Sequence, residues 1–340
     1  MMPLLDEEIL SVGGVTYRGS DLVRAARRWS DWAKLEDQLR QGLACVARAD
    51  DTGDDVGDEE LQAAASEFRY ERDLISGQEM EVWLAHWALD ADDWMEFLRR
   101  GLLRERWATE LVTTAARYSV EPEDVEEALP AEAICSGFLT RTAWKLAARA
   151  AAAARAREEG WLGEEALQSD ADVALERIDA GFRQFCERIV TEAALAAQLA
   201  SHRLDWIRAG CHCLSLPTME SANEAVLCVR EDGMELDEVA RSAGVSVEAA
   251  SDFLENWEPA LRDSLLAARA GALLGPIASG DGFLLVLVLE KVLPSLEDPA
   301  VRRKAQERLL DAVLAREINN RVAWHVPELA KSTPGGWTAP

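Results

Sequence analysis

Cys211, His212 and Cys213 form the densest group of side chains in this sequence that could do chemistry. Thiolates and imidazoles are ligands for zinc. On a strand, however, Cys211 and Cys213 face one side and His212 the other. One ion cannot easily collect all three, and no nearby Cys-x-x-Cys supplies more ligands. The thiols read as small buried hydrophobes, and no metal is expected. The other histidines, His86, His202 and His325, have no Ser, Cys or Asp partner at motif spacing. No nucleophile elbow, P-loop or Rossmann glycine pattern occurs, so no cofactor is expected either.

Residues 236–257, LDEVARSAGVSVEAASDFLENW, have the spacing of a helix-turn-helix with Gly244 at the turn. A DNA reader needs basic and amide side chains on its second helix. This one offers Glu248, Asp252 and Glu255 and neither Lys nor Arg. The net charge of -26 over 340 residues also repels nucleic acid and anionic membranes, and leaves solubility or basic partners as its meaning. Among the 12 tryptophans, Trp29 and Trp32 are spaced i,i+3, and Trp83 and Trp87 i,i+4. Each pair shares a helix face, either in the core or lining a groove that holds a peptide.

The elements that must position these residues are mostly helical. ILSVGGVTY, residues 9–17, reads as a short strand pair or extended arm about Gly13-Gly14. Helical spacing then predicts one helix from Ser20 to about residue 49, a loop at 50–58, and helices opening at Asp58, Ser76, Asp90 and near Pro122. Two long Ala-rich helices follow, one ended by Gly160 and Gly163, the second over about 170–209. They are expected to pair as a hairpin or arm. From Gly210 the pattern changes. CHCLSLP reads as a strand, 220–233 and 235–244 as helices, VSVEAASDFLENW as a third helix, and PALRDSLLAA as a fourth. A hairpin then turns at Gly280-Asp281-Gly282 and runs apolar from Phe283 to Leu289. One last amphipathic helix follows Pro294, and STPGGWTAP reads as a disordered tail. No window reaches the roughly 18 apolar residues of a membrane span. The start has no run long enough for a signal peptide, and six scattered Cys are not a disulfide framework. The cytoplasm is the expected compartment.

GALLGPIASGDGFLLVLVLEKVLPSLED, residues 271–298, resembles the closing hairpin of the parvulin (PpiC-type) peptidyl-prolyl isomerases, and residues 219–244 resemble the helical section after their first strand. His212 falls where that strand's His lies. ILSVGGVTYRGSDL, DEELQAAASEFR and WLAHWALDADDWMEFLRRGLLRERW resemble the N-terminal helical region of SurA-type chaperone/isomerases. The resemblance covers about residues 9–117 and 205–320 and leaves the Ala-rich middle unexplained. It implies a domain made of a His-bearing strand, three short helices, a middle strand, a helix and a hairpin. It further implies that the helix after the hairpin packs back on the N-terminal region. Similar proteins are known beside gene clusters for ribosomally made, modified peptides.

The departures from the family bear on activity. Leu284 stands where a second His follows Gly-aromatic, the glycine turn before the substrate helix is missing, and Trp257 and Leu261 lie near the pocket Met and Phe. Rotation about a peptide bond has a barrier of about 18–20 kcal/mol. Removing several kcal/mol of it, at about 1.4 per tenfold, needs preorganised polar groups that this sequence has mostly lost. The expectation is a mainly α chain with a small α+β parvulin-like domain. The expected domains are 1–125 plus 296–325 (SurA-like helical, discontinuous), 126–204 (Ala-rich helical hairpin or arm), 205–295 (parvulin-like) and 326–340 (flexible tail). The expected function is chaperone-like peptide binding that assists maturation of a ribosomally made peptide, with weak or no isomerase activity. Its alternatives are an active isomerase and a scaffold for other maturation enzymes. The resemblance makes His212 the candidate catalytic residue. The candidate peptide-binding set is His212, Leu214, Phe253, Trp257, Leu261 and Phe283, and the expected partner is a peptide or precursor-peptide client, with neither nucleic acid nor membrane.

Overall fold

The computed structural model describes residues 5–162, 171–280 and 282–330. Gly163, Asp281 and the tail from residue 331, each given a role above, lie outside them. The chain is mainly helical with two small antiparallel sheets, and it divides into two compact units. The first takes the described residues up to Cys186 and again from Ala312. The second is Glu187–Asp311.

The first unit opens with the hairpin β1 (Glu8–Val12) and β2 (Val15–Arg18), turned at Gly13 and Gly14 with φ of 57° and 82°. Both glycines occupy the left-handed region that a two-residue hairpin turn requires. Next come α1 (Gly19–Arg28), α2 (Asp31–Thr52), α3 (Asp58–Glu71), α4 (Gly77–His86), α5 (Ala91–Arg106), α6 (Leu111–Arg117), α7 (Pro122–Cys135), α8 (Phe138–Glu158) and α9 (Ala171–Ile189). The single helix expected from Ser20 is two, broken at Ser30, whose φ of 60° no helix interior accepts. Arg18 rather than Ser20 is its N-cap, closed by Asp21 accepting from the Arg18 amide. Ser76 and Asp90 cap α4 and α5 through reciprocal bonds with Glu79 and Asp93.

The Ala-rich stretch forms no separate arm. Ala147, Ala148, Ala151, Ala152 and Ala156 of α8 are all fully buried. A Cβ at Gly181 of α9 would lie 2.6 Å from that of Ala153, so methyl-sized side chains let two backbones approach. Asp179 ties three helices, accepting from Arg28 Nε at 2.9 Å, Trp29 Nε1 at 3.1 Å and Arg149 Nη1. The second Ala-rich helix is also shorter than expected. It stops at Ile189, and Thr191 caps a new helix, α10 (Glu192–Ser201).

The second unit continues with β3 (Arg208–Leu216), α11 (Met219–Arg230), α12 (Leu236–Ala243), β4 (Val247–Phe253), a 3-10 turn at Leu254–Asn256, α13 (Pro259–Ala267), β5 (Leu273–Ser279) and β6 (Gly282–Val292). The sheet order is β4-β3-β6-β5, all antiparallel. The third helix expected from VSVEAASDFLENW is instead β4, paired with β3 over seven residues. This removes the helix-turn-helix and supplies the middle strand that the family resemblance implies. Two helices, not three, lie between β3 and β4.

The chain then runs through α14 (Pro299–Arg321), β7 (Val322–Trp324) and α15 (Pro327–Ala330). The division between units falls within α14. Lys304 and Arg308 pair with Glu255 of the second unit, while Glu317 and Arg321 pair with Arg155 and Glu158 of the first. β7 adds a third strand to the first sheet, order β2-β1-β7, with Leu10 opposite Trp324. Part of the expected tail is therefore packed: Val326 and Leu329 are buried, and Trp144 Nε1 donates to the Leu329 carbonyl at 2.8 Å.

Candidate functional site

The four-stranded sheet of the second unit has two covered faces. On one, Leu214, Leu216 and Leu285 pack against Ala222 and Val226 of α11 and Val239 of α12. On the other, Ala209, Cys211, Val286 and Val288 pack against Leu261 and Leu265 of α13, with Cys213, Trp257 and Leu284 partly buried beside them. Side chains alternate along β3, so His212 belongs to the first face and Cys211 and Cys213 to the second.

This alternation separates the six residues singled out above. Trp257, Leu261 and Leu284 share the α13 face. The β3 side chains on that face are Cys211 and Cys213, not His212. His212 lies opposite Ala249 and Leu287 in the register, is half-buried, and makes no side-chain hydrogen bond among the described residues. Leu214 is completely buried beneath α11 and α12, so no client can reach it without displacing them. Phe283 packs at the edge of that cluster. Phe253 is covered by two cations, Arg208 at 5.0 Å and Lys304 at 5.1 Å from its ring centre. Trp257 donates its indole N–H to the Asp252 carbonyl at 3.3 Å, and Leu261 is core. The set does not converge on one pocket.

The thiols offer no nucleophile. Burial pushes Cys211 up to about 11, with Cys213 adding to the shift; burial, then Glu248, raises Cys213. Both remain protonated at neutral pH and serve as small apolar groups.

What the sheet does present is an edge. The Leu254 amide donates to the Ile207 carbonyl at 2.8 Å, which fixes the bonding parity of the antiparallel β3–β4 ladder. Residues 254, 252, 250 and 248 turn their peptide groups toward β3. Val247, Ala249 and Ser251 turn theirs outward. The Phe253 amide, also outward, is taken by the Asp252 carboxylate at 2.7 Å. The opposite edge, β5, is poorer: Pro276 lacks an N–H, and the pairing with β6 breaks between Leu274 and Ile277. Sequence reasoning missed the β4 edge because it placed a helix there.

Beside this edge lies a shallow cleft of about 360 Å³, lined by Gly210, Cys211, Ala249, Ala250, Ser251 and Glu290, with Leu289 at its border. It exists because Gly210 has no side chain and its β4 neighbours are small. A Cβ at Gly210 would meet Glu290 Cγ at 3.1 Å. Leu289 is the extra residue where β6 skips register opposite Gly210 and Cys211, and it stands out to solvent. Glu248 and Asp252 make the edge negative on its α13 side.

The tryptophan pairs lie in the first unit. Trp32 stacks edge-on against Phe138, and Trp29 holds Asp179 beneath Lys145 and Arg149, so that pair is structural. Trp83 and Trp87 do line a cleft, of about 680 Å³, with Arg72 and Arg141.

No family model and no curated protein matches the chain. Among solved structures, a peptidylprolyl isomerase (PrsA) from Bacillus anthracis is similar over 64% of this chain and 96% of its own, at 15% identity and a TM-score of 0.25. A structure of SurA-like chaperones from Campylobacter jejuni is similar over 93% of this chain and 98% of its own, at 9% identity and a TM-score of 0.21. Both likenesses lie in chain coverage rather than in close superposition. Among the described residues no helix is long and apolar enough to cross a membrane.

Proposed function

We propose that the chain is a chaperone-like, peptide-binding protein related to the parvulin isomerases, which takes an extended client along the outer edge of β4. The observation that carries this is the row of outward peptide groups on Val247, Ala249 and Ser251, free of proline and bordered by a cleft. An added strand gains main-chain hydrogen bonds there, and its alternate side chains reach the cleft. The order of elements around the sheet supports the relation to parvulins. The isomerase chemistry is weak or absent, because His212 makes no side-chain hydrogen bond among the described residues and the α13 face offers two protonated thiols and Leu284. The client is a precursor peptide of a ribosomally made product. Glu248, Asp252 and the net charge of -26 favour a basic one.

The test is a two-dimensional NMR titration of a Lys-containing X-Pro peptide with the full chain and with Ala249→Pro. The Ala249 amide points away from β3, so proline there spares the ladder and blocks only the outer bond. The expected result is saturable shift changes with wild type, at least about tenfold weaker in the variant, and no acceleration of cis–trans exchange. Strong acceleration, or equal binding by the variant, would overturn the proposal.

A further inference from the structure

The first unit carries a groove of different character. Leu43, Val46 and Ala47 of α2 form one wall, and Ala128 and Ala131 of α7 the other, enclosing about 460 Å³. Asp50 continues the α2 stripe, and Asp124 and Glu127 the α7 stripe. The two stripes, 43-46-47-50 and 124-127-128-131, have the same i, i+3, i+4, i+7 spacing. Each wall is therefore one helix face about two turns, or roughly 10 Å, long.

The rim is acidic. Asp92, Asp93 and Glu96 of α5 join Asp50, Asp124 and Glu127 around the opening. Some of this charge is spent: Arg99 holds Asp50 and Glu96, and Asp93 accepts from the Asp90 amide. Asp92, Asp124 and Glu127 have no ion pair among the described residues. The cation lining the groove is Arg100, 5% exposed and 3.5 Å from Glu132. Its Nε–H, also buried, has no hydrogen-bond partner among the described residues.

From these observations we infer that the groove between α2 and α7 binds a basic amphipathic helix of a partner protein. Apolar side chains of that helix enter between Val46 and Ala128, and its Lys and Arg side chains meet Asp92, Asp124 and Glu127. Two helical walls of matched length suit a helix, which presents anchors at that same spacing. The site is independent of strand addition at Ala249.

The experiment uses the full chain and a fluorescein-labelled synthetic Leu/Lys amphipathic helix, with a Leu/Glu version of the same pattern as control. Binding is followed by anisotropy at two salt concentrations, with wild type, Ala128→Trp, Glu127→Lys and Ala249→Pro. Circular dichroism and melting establish that each variant folds. Expected is binding of the Leu/Lys peptide only, weakened at least about tenfold by Ala128→Trp, which fills the groove, and about threefold or more by Glu127→Lys, with a shallower salt dependence. Ala249→Pro should leave it unchanged. Failure of the wild-type chain to bind the peptide, equal binding of the Leu/Glu peptide, or wild-type affinity in both groove variants overturns the inference. Loss of binding in Ala249→Pro alone also overturns it, while supporting the sheet edge as the peptide site.

Discussion

Cys211 and His212 are adjacent yet should respond to substitution in opposite ways. Cys211 is packed beneath α13, so Cys211→Ser buries a hydroxyl among Val286, Val288 and Leu265 and should destabilise the second unit by about 1–3 kcal/mol. His212 faces Ala249 and Leu287 without a hydrogen-bond partner, and His212→Ala should shift stability by about 0.5 kcal/mol or less. Urea denaturation of the full chain checks both. The alternation of this strand was legible in the sequence, which set the thiols against the imidazole. What a single sequence could not show is which face α13 would cover. The resemblance assigned His212 to the pocket by its place in the chain, and a strand position shifted by one residue changes faces. The six chosen residues scatter for the same reason: most are apolar, and apolar residues at strand and helix spacing occur on both faces of a covered sheet.

At the scale of elements, Asp179 is the joint to probe. Burial acts to raise its carboxyl, but hydrogen bonds from Arg28 and Arg149, with Trp29 adding another, outweigh it and hold the group below the ordinary aspartate range. The stabilisation is therefore complete above that range and is lost as pH falls through the depressed folded value. Asp179→Asn should cost about 1–2 kcal/mol at pH 7, a difference that shrinks below about pH 4. Denaturant titrations of both forms at pH 7 and pH 3.5 would show it. An equal difference at both pH values would contradict the joint's ionic character. Helices announced by caps, such as those opened by Ser76 and Asp90, were readable from sequence because their signals are local. VSVEAASDF was not. Its Ala and Glu favour helix, and only pairing with β3 across more than thirty residues makes it a strand. The Ala run of α8 reads from sequence as a helix–helix contact, because small side chains let backbones approach, and the close approach of Gly181 to Ala153 is such a contact.

At the scale of the whole molecule, the first unit joins β1, near the start of the described residues, to β7, near their end. Trp324 pairs with Leu10 across the sheet and packs at 5.0 Å on Trp144. Trp324→Ala should weaken that unit by about 1–3 kcal/mol, since the ring is half-buried. Hydrogen exchange should then show faster opening of α1, α2 and α8, while β3 and β6 keep wild-type protection. Uniform loss across both units would refute this partition. None of it was visible at residues 322–324, where three residues make a strand only because β1 is waiting for them.

That dependence sets an order of events at the ribosome. Leu10 emerges before Trp324 and cannot meet it until more than three hundred further residues have been made. At about 5–20 residues per second, β1 waits roughly 15–60 seconds with one side unpaired. The strands of the second unit meet partners within a far shorter stretch of chain. The unit that starts first therefore finishes last, and in the interval β1 is open to the kind of strand addition proposed here for a client.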